Sequence, residues 1–146
     1  MNTSKIILFA IIFLAACGKS EKNRPEQKAD ISDNPNQALY EQVMDVHDEV
    51  MPKNGQLYQL KRELQEKMKA TDLSDDTKKQ LGEIIHELDS ADKAMMNWMH
   101  RFSPLPDTAN REAAREYLED EMEKIKKVRD LTEGVLQKAK DKLGKK

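Results

Sequence analysis

The first long segment of apolar positions has a helical spacing of about 3.5 residues. Its apolar side chains are separated by alternating steps of four and three residues, with one step of seven. The spacing places them on one face and predicts an amphipathic helix of the coiled-coil type over residues 37–69. These positions are Leu39, Val43, Val46, Val50, Leu57, Leu60 and Leu64.

The stretch MPKNG, residues 51–55, interrupts this segment without changing its phase. Pro52 removes a backbone N–H, and Asn-Gly is common in turns between strands. No alternating strand pattern flanks the stretch, and Val50 and Leu57 on its two sides are seven residues apart, which is one heptad. We therefore predict a single helix with a kink at Pro52, and the alternative is two separate helices.

A second helix is predicted over residues 74–102. Ser74 is a suitable N-cap, and the two aspartates after it suit the positive end of a helix dipole. The prolines of SPLP, residues 103–106, end this helix. Its apolar face comprises Leu81, Ile84, Ile85, Leu88, Ala91, Met95, Trp98, Met99 and Phe102.

A third helix is predicted over residues 108–143, with Asp107 or Thr108 as its N-cap. Three long helices joined by two short turns predict an all-α, up-down-up antiparallel three-helix bundle of coiled-coil character over residues 37–146. The apolar face of the third helix comprises Ala114, Leu118, Met122, Ile125, Val128, Leu131, Val135, Ala139 and Leu143.

The distribution of charge agrees with antiparallel packing. Residues 107–123 hold seven acidic and two basic side chains, whereas residues 124–146 hold three acidic and nine basic ones. The first helix has the same polarity, since residues 30–51 hold six acids and no base. A second helix that is acidic at its start and runs the other way brings opposite charges together.

The N-terminal stretch has the features of a signal peptide. A basic Lys5 precedes an unbroken apolar run, residues 6–16, which is shorter than the roughly 20 residues needed to cross a bilayer. The run ends in LAAC, and Cys17 is the only cysteine. LAAC resembles the lipobox of bacterial lipoproteins, whose cysteine is linked to diacylglycerol after the preceding peptide is cleaved. The resemblance implies a signal peptide over 1–16 and lipidation of Cys17; the alternative is an ordinary secretory signal with a chance cysteine.

Residues 17–36 have the composition of a disordered tether, with two prolines and almost no apolar side chain. A flexible chain of this length spans about 25 Å, enough to clear lipid headgroups. We expect a protein of the cell envelope that is held by lipid on Cys17, on the outer membrane and facing the periplasm. Display on the cell surface is the alternative, although GKSE after the cysteine is too weakly acidic to favour it.

Composition narrows the classes of function. Loss of residues 1–16 removes one lysine and leaves 24 basic and 27 acidic side chains, a net charge of −3, which argues against nucleic acid as a partner. Aromatic residues make up 5% and charged residues 36%, which is typical of one helical domain with a slim core. No glycine loop that could cradle phosphate occurs, and HDEVM lacks the second histidine of the H-E-x-x-H zinc motif. The sequence gives no positive evidence for an enzyme.

The stretch AMMNWMHRF, residues 94–102, is the strongest candidate for specific chemistry, with three methionines, the only tryptophan and a histidine. Folding the chain at its two turns places it at the level of His47, which shares one helix face with Met44 and Met51. Thioethers and imidazole select Cu(I), and a tryptophan face can cap a cation. The ligands resemble those of small periplasmic copper chaperones, which are β-barrels, so only the ligand chemistry carries over. A Cu(I) site would comprise Met44, His47, Met51, Met95, Met96, Trp98 and Met99.

Core packing is the competing interpretation of the same residues. Met95, Trp98 and Phe102 lie on the apolar seam, and methionine fills irregular gaps in protein cores. His86 and His100 fall on the outer face of the helix. We therefore expect an adaptable core layer without a cofactor and keep the Cu(I) site as the alternative.

The stretches VMDVHDEVMPKNGQL and ADKAMMNWMHRF resemble a family of small uncharacterised bacterial lipoproteins, some of which carry the label "viral A-type inclusion protein". The resemblance covers residues 38–102 and implies a membrane-anchored helical protein without naming an activity. If its motifs mark one site, the residues are His47, Met51, Pro52, Met95, Met96, Trp98 and Met99. We expect a helical binding or structural module whose surface engages another envelope protein.

Overall fold

The computed structural model describes residues 35–106 and 109–145, and within these ranges it contains helices and no strand. This confirms the predicted all-α class. Three long helical segments pack against one another, the first of them divided by a short turn. The elements are α1 (Pro35–Val50), a 3₁₀ turn (Met51–Lys53), α2 (Asn54–Met68), α3 (Asp75–Arg101) and α4 (Arg111–Leu143).

The junction of α1 and α2 is a single 3₁₀ turn rather than a loop. Val50 and Asn54, on the two sides of the turn, both keep right-handed helical backbone angles. Pro52 lacks an N–H, so the regular hydrogen-bond ladder cannot run through this turn. The predicted phase survives the interruption, because Val50 and Leu57 are both buried. The chain therefore has two α-helices that follow one another without leaving helical geometry.

The helix ends are set by local hydrogen bonds. Ser74 caps α3 as predicted, since its hydroxyl accepts a bond of 3.2 Å from the backbone N–H of Thr77. α4 begins at Arg111 rather than at residue 108, because the side-chain oxygen of Asn110 accepts bonds from the N–H groups of Glu112 (2.8 Å) and Ala113 (3.3 Å). The predicted caps, residues 107 and 108, lie outside the described residues.

The interior consists of two hydrophobic clusters along the same helices. We call the first the leucine cluster: Leu57, Leu60, Leu64, Leu81, Ile84, Leu88, Ala91, Val135, Leu136 and Ala139. We call the second the methionine–tryptophan cluster: Val43, Val50, Met95, Trp98, Met122, Ile125 and Val128, with Leu39, Val46, Met51, Ala94 and Phe102 packed against it.

The buried face of α4 departs from the predicted seam in its second half. Leu131 was predicted to be buried but is 41% exposed, whereas Thr132 and Leu136 are buried. A straight helix has 3.6 residues per turn, so a strict heptad seam drifts by about 20° per heptad. Between Val128 and Val135 the buried face takes a step of four and then one of three, through Thr132, whereas the predicted seam took them in the opposite order, through Leu131. The residue types did not indicate this order, because leucine is apolar and threonine is polar.

The N-terminal predictions concern a part of the chain that the structure mostly does not describe. The signal peptide 1–16, Cys17 and the tether up to residue 34 lie outside the described residues, while residues 35 and 36 already belong to α1. None of the described helices combines the length and the apolar character that a membrane span requires.

Candidate functional site

A row of stacked rings runs through the methionine–tryptophan cluster. Trp98 is only 5% exposed, and its ring centroid lies 4.7 Å from that of Phe102 and 5.7 Å from that of His47. Phe102 in turn stacks on Tyr40 at 6.0 Å and on Tyr117 at 6.2 Å. The predicted approach of His47 to Trp98 is therefore observed, and rings from α1, from the end of α3 and from α4 meet in one row.

The methionines near this row divide into inner and outer ones. Met95 is fully buried, and Met51 packs against the same cluster. Met96 and Met99 are each 37% exposed, so Met99 does not belong to the buried seam where the periodicity placed it. Met44 is half-buried on α1. The structure thus brings His47, Met51, Met95 and Trp98 into one neighbourhood and leaves two further candidates at the surface.

The histidines have different surroundings. The Nδ1 atom of His47 lies 2.8 Å from a carboxylate oxygen of Asp48, and the side chain is 15% exposed. His86 and His100 are exposed, as predicted, and Nδ1 of His100 lies 2.6 Å from the carbonyl oxygen of Met96. Within residues 35–106 and 109–145, no three or more histidine, cysteine, aspartate or glutamate side chains are grouped to hold a metal ion.

The indole N–H of Trp98 is buried and has no hydrogen-bond acceptor among the described residues. A buried polar group that is left unpaired costs about 1–3 kcal/mol, and few native groups are left in this state. Phenylalanine would fill much of the same space without that penalty. Trp98 therefore carries a free-energy cost that core packing alone does not require.

A polar layer separates the two hydrophobic clusters, and it was not predicted from the sequence. Asn54 is buried, and its amide donates a bond of 3.2 Å to Asp92, which also accepts a bond of 2.9 Å from the Tyr58 hydroxyl. The side-chain oxygens of Asn54 and of fully buried Thr132 have no partner among the described residues. The sequence did contain a signal for the burial of Asn54, because this residue lies four residues after the buried seam position Val50 and three before Leu57.

Glu121 on α4 is a second buried polar residue that sequence reasoning missed. Its carboxylate accepts a bond of 2.7 Å from the ammonium group of Lys124, and this bond is the main cause of a raised Lys124 pKa. The neighbouring Tyr117 has its pKa raised by burial, and its hydroxyl accepts a bond of 2.6 Å from the backbone N–H of Ser103. The bond between Ser103 and Tyr117 connects the end of α3 to α4 beside the aromatic row.

Two cavities are present among the described residues, and only the first reaches the row, at Tyr40. One, of about 390 Å³, lies among the start of α1, the segment after α3 and the start of α4, and Tyr40 and Leu105 are among its lining residues. The other, of about 440 Å³, is an open groove between α3 and α4 with Ile84 and Lys138 on its walls. Neither is lined by His47 or Trp98.

Comparison with protein-family models, with curated proteins and with solved structures finds no match for this chain. The contacts of the chain's own residues therefore carry the functional inference. They point to the methionine–tryptophan half of the bundle, where rings, thioethers and an unpaired donor are concentrated.

Proposed function

We propose that this chain is a lipid-anchored protein of the bacterial cell envelope whose helical bundle binds another envelope protein. The observation that carries the proposal is the build of the methionine–tryptophan half. Met96 and Met99 are partly exposed beside the buried ring of Trp98, whose N–H has no acceptor among the described residues. Flexible thioethers and aromatic rings at a surface are typical of protein-binding sites. The expected absence of a catalytic activity remains part of the proposal.

The proposed architecture is an up-down-up bundle of coiled-coil character, and the pairing between helices supports it. Residue numbers rise together along α1–α2 and α4, since Asn36 donates to the carbonyl of Arg111 and Lys67 donates to that of Lys142. Residue numbers run in opposite directions along α3 and its neighbours. The pairs are His47–Trp98, Lys61–Asp89, Tyr117–Ser103 and Lys138–Glu87.

The proposed anchor is a diacylglycerol group on Cys17, after cleavage of residues 1–16. Support comes from the lipobox resemblance of LAAC and from the sole cysteine at its end. The resemblance of residues 38–102 to small bacterial lipoproteins agrees with this assignment. The proposed place of the bundle is the periplasmic side of the outer membrane, with the cell surface as the alternative.

The anchor can be tested by feeding cells a radioactive fatty acid. The wild-type chain is expected to carry the label and to fractionate with membranes. Cys17→Ser removes the only thiol and is expected to abolish both. A labelled Cys17→Ser protein would disprove lipidation at this residue.

The binding function can be tested by chemical crosslinking in intact cells. Lysines are spread over α2, α3 and α4, so an amine-reactive reagent reaches much of the bundle. We expect discrete crosslinked species of higher mass under at least one growth condition. Recovery of monomer alone under all conditions would contradict the proposal.

A Cu(I)-binding function is the second candidate. It is supported by the 5.7 Å approach of the His47 ring to Trp98 and by the thioethers of Met51 and Met95 in the same cluster. The test is a titration of Cu(I) into the Cys17→Ser chain, under reducing conditions and with a competing chelator. A metal site predicts quenching of the single tryptophan at one equivalent, abolished by His47→Ala or Met51→Ala. Unchanged fluorescence would eliminate this candidate.

A further inference from the structure

One side of α1 and α2 contacts α3 at regular intervals. Four positions separated by seven residues contact α3, in the pairs Tyr40–Phe102, His47–Trp98, Asn54–Asp92 and Lys61–Asp89. Equal spacing by heptads keeps these four residues on one side of the first helical segment. The row defines the seam between the first helical segment and α3.

Four methionines border the upper part of this seam. Met44 and Met51 follow Tyr40 and His47 by four residues, so they lie on the same face, one step toward solvent. On α3, Met96 and Met99 follow Asp92 by four and seven residues and continue the face on which Asp92 meets α2. We call the surface between these two pairs of methionines the methionine groove, with the His47–Trp98 contact beneath it.

The groove is open to a partner. Met96 and Met99 are each 37% exposed, and Met44 and Met51 are half-buried. Methionine side chains have three rotatable bonds and a polarizable sulfur, so they adapt to apolar side chains of varied shape. Apolar side chains that border the seam of two adjacent helices can receive the apolar face of a third helix, read at i, i+3, i+4 and i+7.

The charge of the groove selects the kind of helix. α1 contains four acidic residues and neither lysine nor arginine. Glu41 and Asp48 lie three residues before and four residues after Met44, so they share its face and border the groove. Glu49 instead bonds Lys53, which contacts α4. On α3, Lys93 is the only lysine or arginine between Asp92 and His100. The acids of α1 are Glu41, Asp45, Asp48 and Glu49. Complementarity therefore favours a partner with a basic polar face and disfavours an acidic one.

We propose that the methionine groove between α1 and α3 is the docking site for a lysine- and arginine-rich amphipathic helix of another envelope protein. This inference rests on the proposed binding function and names its surface and the chemistry of its partner. The basic half of this chain's own α4 already packs in the leucine cluster through Val135, Leu136 and Ala139, so it does not supply this helix.

The first test measures binding of designed peptides to the Cys17→Ser chain by fluorescence anisotropy. One labelled peptide is an amphipathic helix of leucine and lysine, and its matched control replaces every lysine with glutamate. We expect the basic peptide to bind at least about tenfold more tightly than the acidic one, with an affinity that falls as salt is added. Equal affinity for both peptides, or binding of neither, would overturn the proposal.

Matched variants test whether the methionine groove is the binding surface. Met96→Ser with Met99→Ser is expected to weaken the basic peptide by about tenfold or more, because it removes the outer apolar wall. Met68→Ser is the control, since Met68 is also 37% exposed but lies at the end of α2. Asp48→Lys reverses a charge at a side chain that is 74% exposed and should also weaken binding. An equal loss in the Met68→Ser control, or no loss in any groove variant, would overturn the proposal.

A photo-crosslinking amino acid in intact cells separates failure of the groove from failure of the binding function. It is placed either at Met99, in the groove, or at exposed Gln56 on α2. Crosslinks from Met99 that map to a lysine- and arginine-rich segment of another protein support the proposal. Crosslinks from Gln56 alone keep the binding function and overturn the groove, and crosslinks from neither position overturn both. A crosslink from Met99 to a second copy of this chain would replace the basic helix with self-association.

Discussion

The leucine cluster and the methionine–tryptophan cluster are built on the same helical segments but from different side chains. The leucine cluster contains only leucine, isoleucine, valine and alanine. The methionine–tryptophan cluster contains Met95, Met122 and Trp98, and its aromatic row extends to His47 and Tyr40. Among residues 35–106 and 109–145, the core of one half is therefore aliphatic, whereas that of the other mixes thioethers, rings and an indole N–H that has no partner there.

The leucine cluster therefore favours stability, whereas the methionine–tryptophan cluster favours adaptability. Leucine and isoleucine have few rotamers and pack into a single arrangement, whereas methionine adjusts to its surroundings. The polar layer of Asn54 and Thr132 lies at the boundary, next to the 3₁₀ turn at Met51–Lys53. A break in the hydrogen-bond ladder beside unpaired buried oxygens favours separate opening of the two halves. The half that carries the methionine groove is then the one expected to adjust to a partner.

The largest effect is expected for Trp98→Ala. Loss of a buried aromatic side chain costs about 3–5 kcal/mol, a large part of the stability of a small domain. Leu88→Ala, in the leucine cluster, is the matched change and should cost about 2–5 kcal/mol. Chemical denaturation followed by circular dichroism measures both. A loss below about 1 kcal/mol for Trp98→Ala would mean that the methionine–tryptophan half contributes little to folding.

Thr132→Val should act in the opposite direction. Valine has nearly the shape of threonine and removes a buried hydroxyl that has no partner in the described part of the chain, so we expect stabilisation by about 1–2 kcal/mol. Thr71→Val, at an exposed position, is the control and should change the unfolding free energy little. Destabilisation by Thr132→Val would show that the hydroxyl is bonded in solution, for example to a buried water.

Hydrogen exchange should distinguish the two halves without any substitution. Amides of α1 are expected to exchange faster than those in the middle of α3, because α1 packs on the adaptable cluster next to the 3₁₀ turn. Mass spectrometry of peptic fragments measures the difference. Uniform protection of α1, α2 and α3 would mean that the bundle opens as one unit.

Elements governed by local rules were predicted well from the sequence. Ser74 caps α3 because the rule for a helix start concerns only a few neighbouring residues. The buried seam through Val50 and Leu57 was predicted because a heptad repeat can be recognised in the amino-acid sequence alone. The approach of His47 to Trp98 followed from the positions of two turns.

Features that depend on the packing of distant segments were missed. Thr132 is buried in place of Leu131 because the packing of α4 against its neighbours decides which side chain faces the interior. Glu121 is likewise buried by the packing of α4, although its charge favours a position at the surface. Met99 was assigned to the seam by its spacing, yet it lies at the groove. In each case the type or spacing of the residue indicated the wrong side of the helix.

The smallest expected effect concerns an ion pair at the boundary between the halves. Lys53 in the 3₁₀ turn donates bonds of 2.6 Å to Glu133 on α4 and 3.1 Å to Glu49. The bond to Glu133 is the main cause of a raised Lys53 pKa, and the same bond lowers the pKa of Glu133. Both side chains are partly exposed, so the pair should stabilise the fold by no more than about 1 kcal/mol.

Its pH dependence follows from the directions of the two shifts. The folded state holds Glu133 ionised more readily than the unfolded chain does, so the contribution is present above an unfolded pKa of about 4.3 and is lost as the pH falls through the lower folded pKa. At the alkaline end, the contribution is present below about pH 10.4 and is lost as the pH rises through the raised folded pKa of Lys53.

Glu133→Gln should therefore weaken the pH dependence of the unfolding free energy in the acid range. At neutral pH it should lower the unfolding free energy by the contribution of the Lys53–Glu133 pair. Glu66→Gln, which breaks an exposed pair with Lys69 within one stretch of chain, is the control and should leave the profile nearly unchanged. If the two variants gave the same profile, the contact between the 3₁₀ turn and α4 would add nothing beyond an ordinary surface pair, and the boundary would be held by packing alone.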